Sequence, residues 1–267
     1  MFIKIYNFFK LFLNKSIIKM YKLQYKLRPK MIFNNKFRFI ISQNLSAKAN
    51  SNFDNAIFKA FNKYSLPVLR LYSWQNSVTF GVSQNPSDYV TLLEEYENNF
   101  AKRITGGGVL FHGHDISYSL IIPASYIEDK GVKETYELIC SFILSFYASF
   151  GLKANFAKDI ESIVLSKNAF CQVGFEAYDI IINGEKFGGN AQKRAKNVIF
   201  QHGSIPLKTI KKDEKYGASL EDFSVNINFT EAVDALKKAF EKTFNAQLIE
   251  SNLDENEQKI YDELHQG

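Results

Sequence analysis

From Phe39 to about Leu207 the chain alternates short runs of period two with a few stretches of helical spacing. The runs VLRLYSW and SVTFGVS, punctuated by Pro67 and Asn76, alternate apolar and polar positions as strands do. In NSNFDNAIFKAFNKY, residues 50 to 64, Phe53, Ile57, Phe58 and Phe61 recur at helical spacing. The segment 131 to 152 predicts a long helix that is apolar over a broad face and ends near Gly151; Cys140 lies inside it as ordinary core. Asn183-Gly184, set between two β-prone runs, predicts a two-residue hairpin with Lys186 just past the turn. NVIFQHGSIPL reads as a further strand, residues 230 to 244 as a surface helix capped by Thr230, and DENEQKIYDELHQG as a short solvated helix. No internal repeat is present. Helices set around a mostly antiparallel sheet point to α+β rather than a doubly wound fold.

Composition narrows the class. With 267 residues, 46% apolar and 15% aromatic, the chain can bury a substantial core. Residues 31–267 are expected to form one domain, with a core of about 39–207 and a small C-terminal helical part over 208–267. Two cysteines, Cys140 and Cys171, are too few for a disulfide framework, and no secretory pattern precedes a cleavage-like site, so a reducing cytoplasm is the expectation. The net charge of +5 is local: residues 1 to 53 hold 11 Lys/Arg and no acid, leaving 22 basic against 28 acidic groups beyond them. The body is therefore acidic, which argues against nucleic acid as a partner. As a helix, the N-terminal stretch would gather Lys4, Lys15, Lys19, Lys22 and Lys26 within a sector about 60° wide. Residues 1–30 are then either a basic amphipathic segment making weak membrane-surface contact or a disordered extension. Lysines interrupt every apolar run, so the segment is not a membrane span.

Candidate chemistry begins at RITGGGVLFH. It has neither the Lys-Ser/Thr of a P-loop nor the spacing of a dinucleotide fingerprint. Three glycines let backbone N–H groups approach a ligand closely, and Arg103 offers a fixed positive fork. Sixteen residues after Lys186, in INGEKFGGNAQKRAKNVIFQHGSI, stands His202. Together with Gly81-Val82-Ser83-Gln84-Asn85, the blocks Arg103-Ile104-Thr105-Gly106-Gly107-Gly108 through His112, and Lys186-Phe187-Gly188-Gly189-Asn190-Ala191, resemble the lipoate branch of the biotin/lipoate protein ligase superfamily. The Arg-rich loop of the biotin branch is missing.

That resemblance implies a fold like the catalytic core of class II aminoacyl-tRNA synthetases and biotin ligases, with a narrow apolar tunnel for an acyl chain. It implies a substrate site formed by Arg103, Thr105, Gly106, Gly107, Gly108, His112, Gly188, Gly189, Ala191 and His202, with no metal ligands among them and no catalytic role assigned to either histidine. Cys171 precedes Lys186 by fifteen residues, a spacing similar to that of octanoyltransferases acting through a cysteine. On that likeness Cys171 is the nucleophile, and Lys186 lowers its pKa or holds the acyl oxygen. Without that spacing, Cys171 reads as a small buried hydrophobe beside Phe170. The implied donor is an acyl carrier protein, and the acceptor is a lysine of a lipoyl domain or of the glycine cleavage H protein. A transferase of this kind requires no cofactor, whereas an ATP-dependent lipoate ligase would use ATP and Mg. The ligases tend to carry Asn-Asp where Tyr178-Asp179 stands here, and many have a sizeable accessory domain beyond the core; both features favour the transferase.

Overall fold

A computed structural model describes residues 35–166, 174–210 and 217–266. In chain order the elements are β1 (Lys36–Leu45), α1 (Ala47–Ala60), β2 (Val68–Trp74), β3 (Ser77–Phe80), α2 (Val90–Glu95), β4 (Phe100–Lys102), β5 (Leu110–His112), β6 (Asp115–Pro123), α3 (Val132–Ser149), β7 (Ala154–Phe156), β8 (Ile180–Ile182), β9 (Glu185–Lys186), β10 (Asn190–Arg194), β11 (Val198–Pro206), α4 (Phe229–Phe244), β12 (Gln247–Glu250) and α5 (Glu255–Gln266). The main sheet has the order β10-β11-β6-β2-β1-β12. Its first four strands run antiparallel, and β1 lies parallel to both β2 and β12. Two three-stranded sheets, β4-β3-β5 and β7-β8-β9, carry the glycine loop and the lysine strand.

Period-two alternation sorts the main sheet into two faces. On one, Ile40, Val68, Ile121, Val198 and Phe200 pack against Ile57 and Phe58 of α1. On the other, Phe37 meets Phe240 of α4 edge-on at 5.1 Å, and Tyr118 meets Phe142 of α3 at 5.2 Å. The expected α1 forms three residues earlier than its apolar spacing suggests, because Ser46 caps it by accepting from the Ala49 N–H at 3.2 Å. Its buried face also carries Asn50 and Asp54, which receive the guanidinium of Arg70 from the middle of β2.

The long helix α3 and the turn that follows it, at Gly151 with φ +76°, match the sequence reading. So does the β8–β9 hairpin, where Asn183 and Gly184 both take positive φ, 51° and 87°, as a type I′ turn demands. Two expectations need correction at the C-terminal end. The cap of α4 is Asn228 rather than Thr230, because a reciprocal box is available: Asn228 accepts from the Glu231 N–H at 3.0 Å, and Glu231 accepts from the Asn228 N–H at 2.8 Å. Nor is α5 merely solvated. Glu257 is buried and takes both ends of the Arg38 guanidinium at 2.7 Å, and Tyr261 packs edge-on to Phe53 of α1. Residues 247–250 add an unforeseen strand to the sheet edge. The N-terminal extension considered above lies outside the described residues, and no helix among the described residues is long and apolar enough to cross a membrane.

Candidate active site

A cavity of about 240 Å³ lies across one face of the main sheet. Its floor steps from Ala191 on β10 to His202 on β11, Ser117 on β6, and Tyr72 and Trp74 on β2; Gly106, Gly107, Gly108 and Leu110 cover it. At the β10 end stand Lys186, Asp179, Glu176 and Gly189. The apolar tunnel implied by resemblance is thus a cavity of mixed lining. The rings of Tyr72 and Trp74 contribute apolar surface, and Lys186, Asp179 and Glu176 contribute charged groups.

Among the glycines, Gly107 has φ +101°, a conformation that L side chains avoid. Gly106 differs: a Cβ there would meet no protein atom within 4 Å, so its missing side chain leaves room in the cavity rather than relieving a clash. Arg103 does not present the free fork expected of it. Its guanidinium donates to the Thr79 carbonyl at 2.9 Å, to Thr79 Oγ1 at 2.7 Å and to the Gly108 carbonyl at 2.6 Å. The residue is buried, and these contacts make it the brace that shapes the glycine loop.

A polar chain continues from that brace. Thr79 Oγ1, which accepts from Arg103, also bonds His112 Nε2 at 2.8 Å, and His112 Nδ1–H donates to Asp115 Oδ2 at 3.0 Å. Asp115 also receives the hydroxyls of Ser117 and Ser204 and the Gly113 N–H. Burial would raise this carboxyl, but the His112 ring and the Ser204 hydroxyl outweigh it and hold the group well below the usual carboxylate range. Trp74 stacks on His112 at 4.0 Å and donates Nε1–H to Ser117. His112 is therefore immobilised as cavity wall.

His202 lines the cavity and bonds Thr105 Oγ1 at 2.7 Å. Burial, with Arg103 and His112 adding to it, pushes its pKa down to about 3, so the ring is neutral. Thr105 itself does not line the cavity and acts by tying the glycine loop to β11. Gly188 does not line it either. With φ +89° it lies against the Ser204 carbonyl of β11, where a Cβ would collide, so its role is packing. Gly189 and Ala191 line the cavity as expected.

Lys186 leaves the hairpin turn with its side chain buried. Its ammonium lies 2.6 Å from Asp179 Oδ2 and donates to the Gly174 carbonyl at 3.1 Å. The carboxylate is fixed in turn by the Glu176 N–H at 2.7 Å. Burial raises the pKa of Asp179, while Lys186 pulls in the opposite direction. Cys171 lies outside the described residues, three positions before Gly174 in sequence; Ser166, upstream of it, lines the cavity. The other thiol, Cys140, is fully buried against Gln201 and is pushed up to about 12 by burial, which leaves it inert. Sequence reasoning missed Tyr72, Trp74, Ser117, Tyr136 and Glu176 as cavity residues. It noticed Asp179 only as a branch marker, although an acid seven residues before the lysine across a hairpin was the available signal.

Residues 46–252 match the model of the lipoyl protein ligase A/B catalytic domain. The chain is 30% identical over 252 residues to the octanoyltransferase LipM of Anoxybacillus flavithermus, covering 83% of this chain and 91% of that one. It is 33% identical over 181 residues to LipM of Bacillus subtilis, covering 64% and 65%. Among solved structures, a lipoate-protein ligase A bound with ATP superposes with a TM-score of 0.73 at 20% identity, covering 86% of this chain and 94% of that one. The bi-partite lipoate protein ligase of Thermoplasma acidophilum does so with a TM-score of 0.70 at 20% identity, covering 86% and 92%. The α+β, class II synthetase-like fold expected from the motifs is the fold these enzymes share, and the chain belongs to the lipoyl protein ligase A/B catalytic domain family.

Proposed function

We propose that this enzyme moves an octanoyl group from a carrier-protein thioester, through Cys171, to a lysine of a lipoyl domain or of the glycine cleavage H protein. The observation that carries the reading is the Lys186 ammonium. It lines the cavity, is held by Asp179 and bonds the carbonyl of Gly174, three positions after Cys171 in sequence. The relatives named octanoyltransferase LipM support the transferase over the ligase.

In the first step the Cys171 thiolate attacks the donor carbonyl. A carbon–sulfur bond forms, the carrier's carbon–sulfur bond breaks, and the carrier sulfur leaves as a thiolate that takes up from solvent a proton equivalent to the one Cys171 released on ionising. In the second step the acceptor amine attacks the acyl-cysteine; a C–N bond forms and Cys171 regains its sulfhydryl. Thioester exchange is nearly neutral in free energy, and the amide lies downhill, so no ATP is consumed. Lys186 stabilises the oxygen that gains charge in both steps, a role worth about 3 kcal/mol for one well-placed donor. Arg103, through the glycine loop, and His112 and His202, as immobilised wall, shape the space for the acyl chain. Carrier-protein thioesters and a reactive thiol suit the cytoplasm.

Transfer is tested by mixing the protein with octanoyl carrier protein and an apo lipoyl domain without ATP. Octanoylation of the domain under these conditions is the expected result. Modification that requires free octanoate, ATP and Mg would make the chain a ligase instead.

A further inference from the structure

The cavity changes character from β10 to β2, and the change fixes which way round an acyl chain lies. Beside the start of β10, Asp179 Oδ1 is 3.4 Å from where a Cβ on Gly189 would stand, and Oδ2 holds Lys186 Nζ at 2.6 Å. Three strands away, β2 contributes the rings of Tyr72 and Trp74 to the same cavity. Charged groups favour a carbonyl and disfavour a hydrocarbon, so a fatty chain lies with its carbonyl towards β10 and its terminal methyl towards β2. We propose that the indole of Trp74 closes the cavity to acyl chains markedly longer than octanoyl, and that Asp115 holds the indole in place; the inference rests on the acyl-transfer reading above.

Length decides what fits. Neighbouring strands lie about 4.8 Å apart, so the three steps from β10 through β11 and β6 to β2 span roughly 14 Å. A C–C bond of about 1.52 Å advances an extended chain by about 1.25 Å, which gives an octanoyl chain roughly 9 Å and a dodecanoyl chain roughly 14 Å. The shorter chain leaves space for a ring beyond its methyl group. The longer one needs the whole span and collides with the indole. Among the described residues, none from β1, the next strand of the sheet, lines the cavity.

Trp74 is held from two sides. Its Nε1–H donates to Ser117 Oγ at 2.9 Å, and its ring stacks on His112 at 4.0 Å with 20° between the planes. Both contacts lead to one carboxylate: Asp115 Oδ2 receives the Ser117 hydroxyl at 3.1 Å and bonds His112 Nδ1 at 3.0 Å. The Ser204 hydroxyl and the Gly113 N–H, at 2.6 and 3.2 Å, fix Asp115 in turn. Apolar packing would hold an indole without burying a charge; a satisfied polar network adds a single orientation. Tyr72, with its ring 5.3 Å from the indole, is fixed separately by donating to Asp54 at 2.9 Å.

The test compares chain lengths. Carrier protein loaded with octanoyl or dodecanoyl groups is offered with an apo lipoyl domain, and the ratio of the two transfer rates is unaffected by the fraction of a variant that is folded. Trp74→Leu is expected to lower the octanoyl preference at least ~10-fold. Ser117→Ala, which releases the indole N–H, should lower it in the same direction. An unchanged ratio in Trp74→Leu would overturn the closing role of the indole, and an unchanged ratio in Ser117→Ala the role given to Asp115.

The wild type supplies a second measurement that requires no variant to fold. Trp74 is the sole tryptophan of the chain. In ω-bromoheptanamide a bromine, which quenches indole fluorescence on near contact, replaces the terminal methyl of octanamide. Quenching by the bromoamide and not by octanamide is the expected result. Binding by calorimetry without quenching, or no binding at all, would overturn the proposal. A wild type that transfers neither acyl group yet shows the quenching would refute the transferase reading alone.

Discussion

Lys186 and Asp179 are each tolerated in the interior because of the other. Removing one partner of a buried pair leaves an uncompensated charge and typically costs about 3–5 kcal/mol, more than the pair itself contributes. Lys186→Met is therefore expected to lower the urea midpoint sharply, and adding Asp179→Asn should restore part of the loss; additive losses would mean that the two groups are not coupled. His202 sets a pH dependence. Its pKa, lowered from 6.5 to about 3, means that the unfolded chain binds a proton in this range that the folded chain refuses. The contribution of His202 is thus fully present above about pH 6.5 and lost as pH falls toward 3. His114, also lowered by burial, acts in the same sense; Asp179, raised, acts in the opposite one. Urea midpoints measured from pH 4 to 7 should show a shallower slope in His202→Gln than in the wild type. An unchanged slope would mean that His202 takes up its proton in the folded state.

At the scale of elements, the three glycines of the loop between β4 and β5 differ in what they do. Gly107→Ala imposes a left-handed conformation on a residue with a Cβ and should cost about 1–2 kcal/mol in thermal or chemical unfolding. Gly106→Ala should leave the melting temperature unchanged and weaken acyl-donor use, because its added methyl enters the cavity. A matching loss of stability at both positions would contradict this division. Elements whose chemistry is local were legible in the sequence. The type I′ hairpin at Asn183-Gly184, the end of α3 near Gly151 and the alternation of β2 depend on residues a few positions apart. What eluded sequence reasoning depends on distant partners. Arg103 reads as a ligand-binding cation until Thr79 and Gly108 are seen to claim it, and the burial of Asn50 and Asp54 on α1 depends on Arg70, which arrives from β2. Gly188 shares a motif with cavity residues, yet its surroundings come from β11.

At the scale of the molecule, the motifs foretold the family and the fold, and they marked both walls of the cavity. They did not foretell how the C-terminal segment joins the whole. There β12 extends the sheet beside β1, and Glu257 of α5 clamps Arg38 of β1. A chain ending before residue 247 is accordingly expected to lose cooperative thermal unfolding. Removal of residues 1–30 is expected to leave acyl transfer intact, and a large fall in rate would assign that segment a part in catalysis. The central claim is covalent relay through one sulfur, and intact-protein mass spectrometry after mixing with octanoyl carrier protein, in the absence of ATP and acceptor, tests it most directly. The account predicts one added octanoyl group on the wild type and none on Cys171→Ser. An octanoyl adduct that persists in Cys171→Ser, or none on either protein, would contradict it.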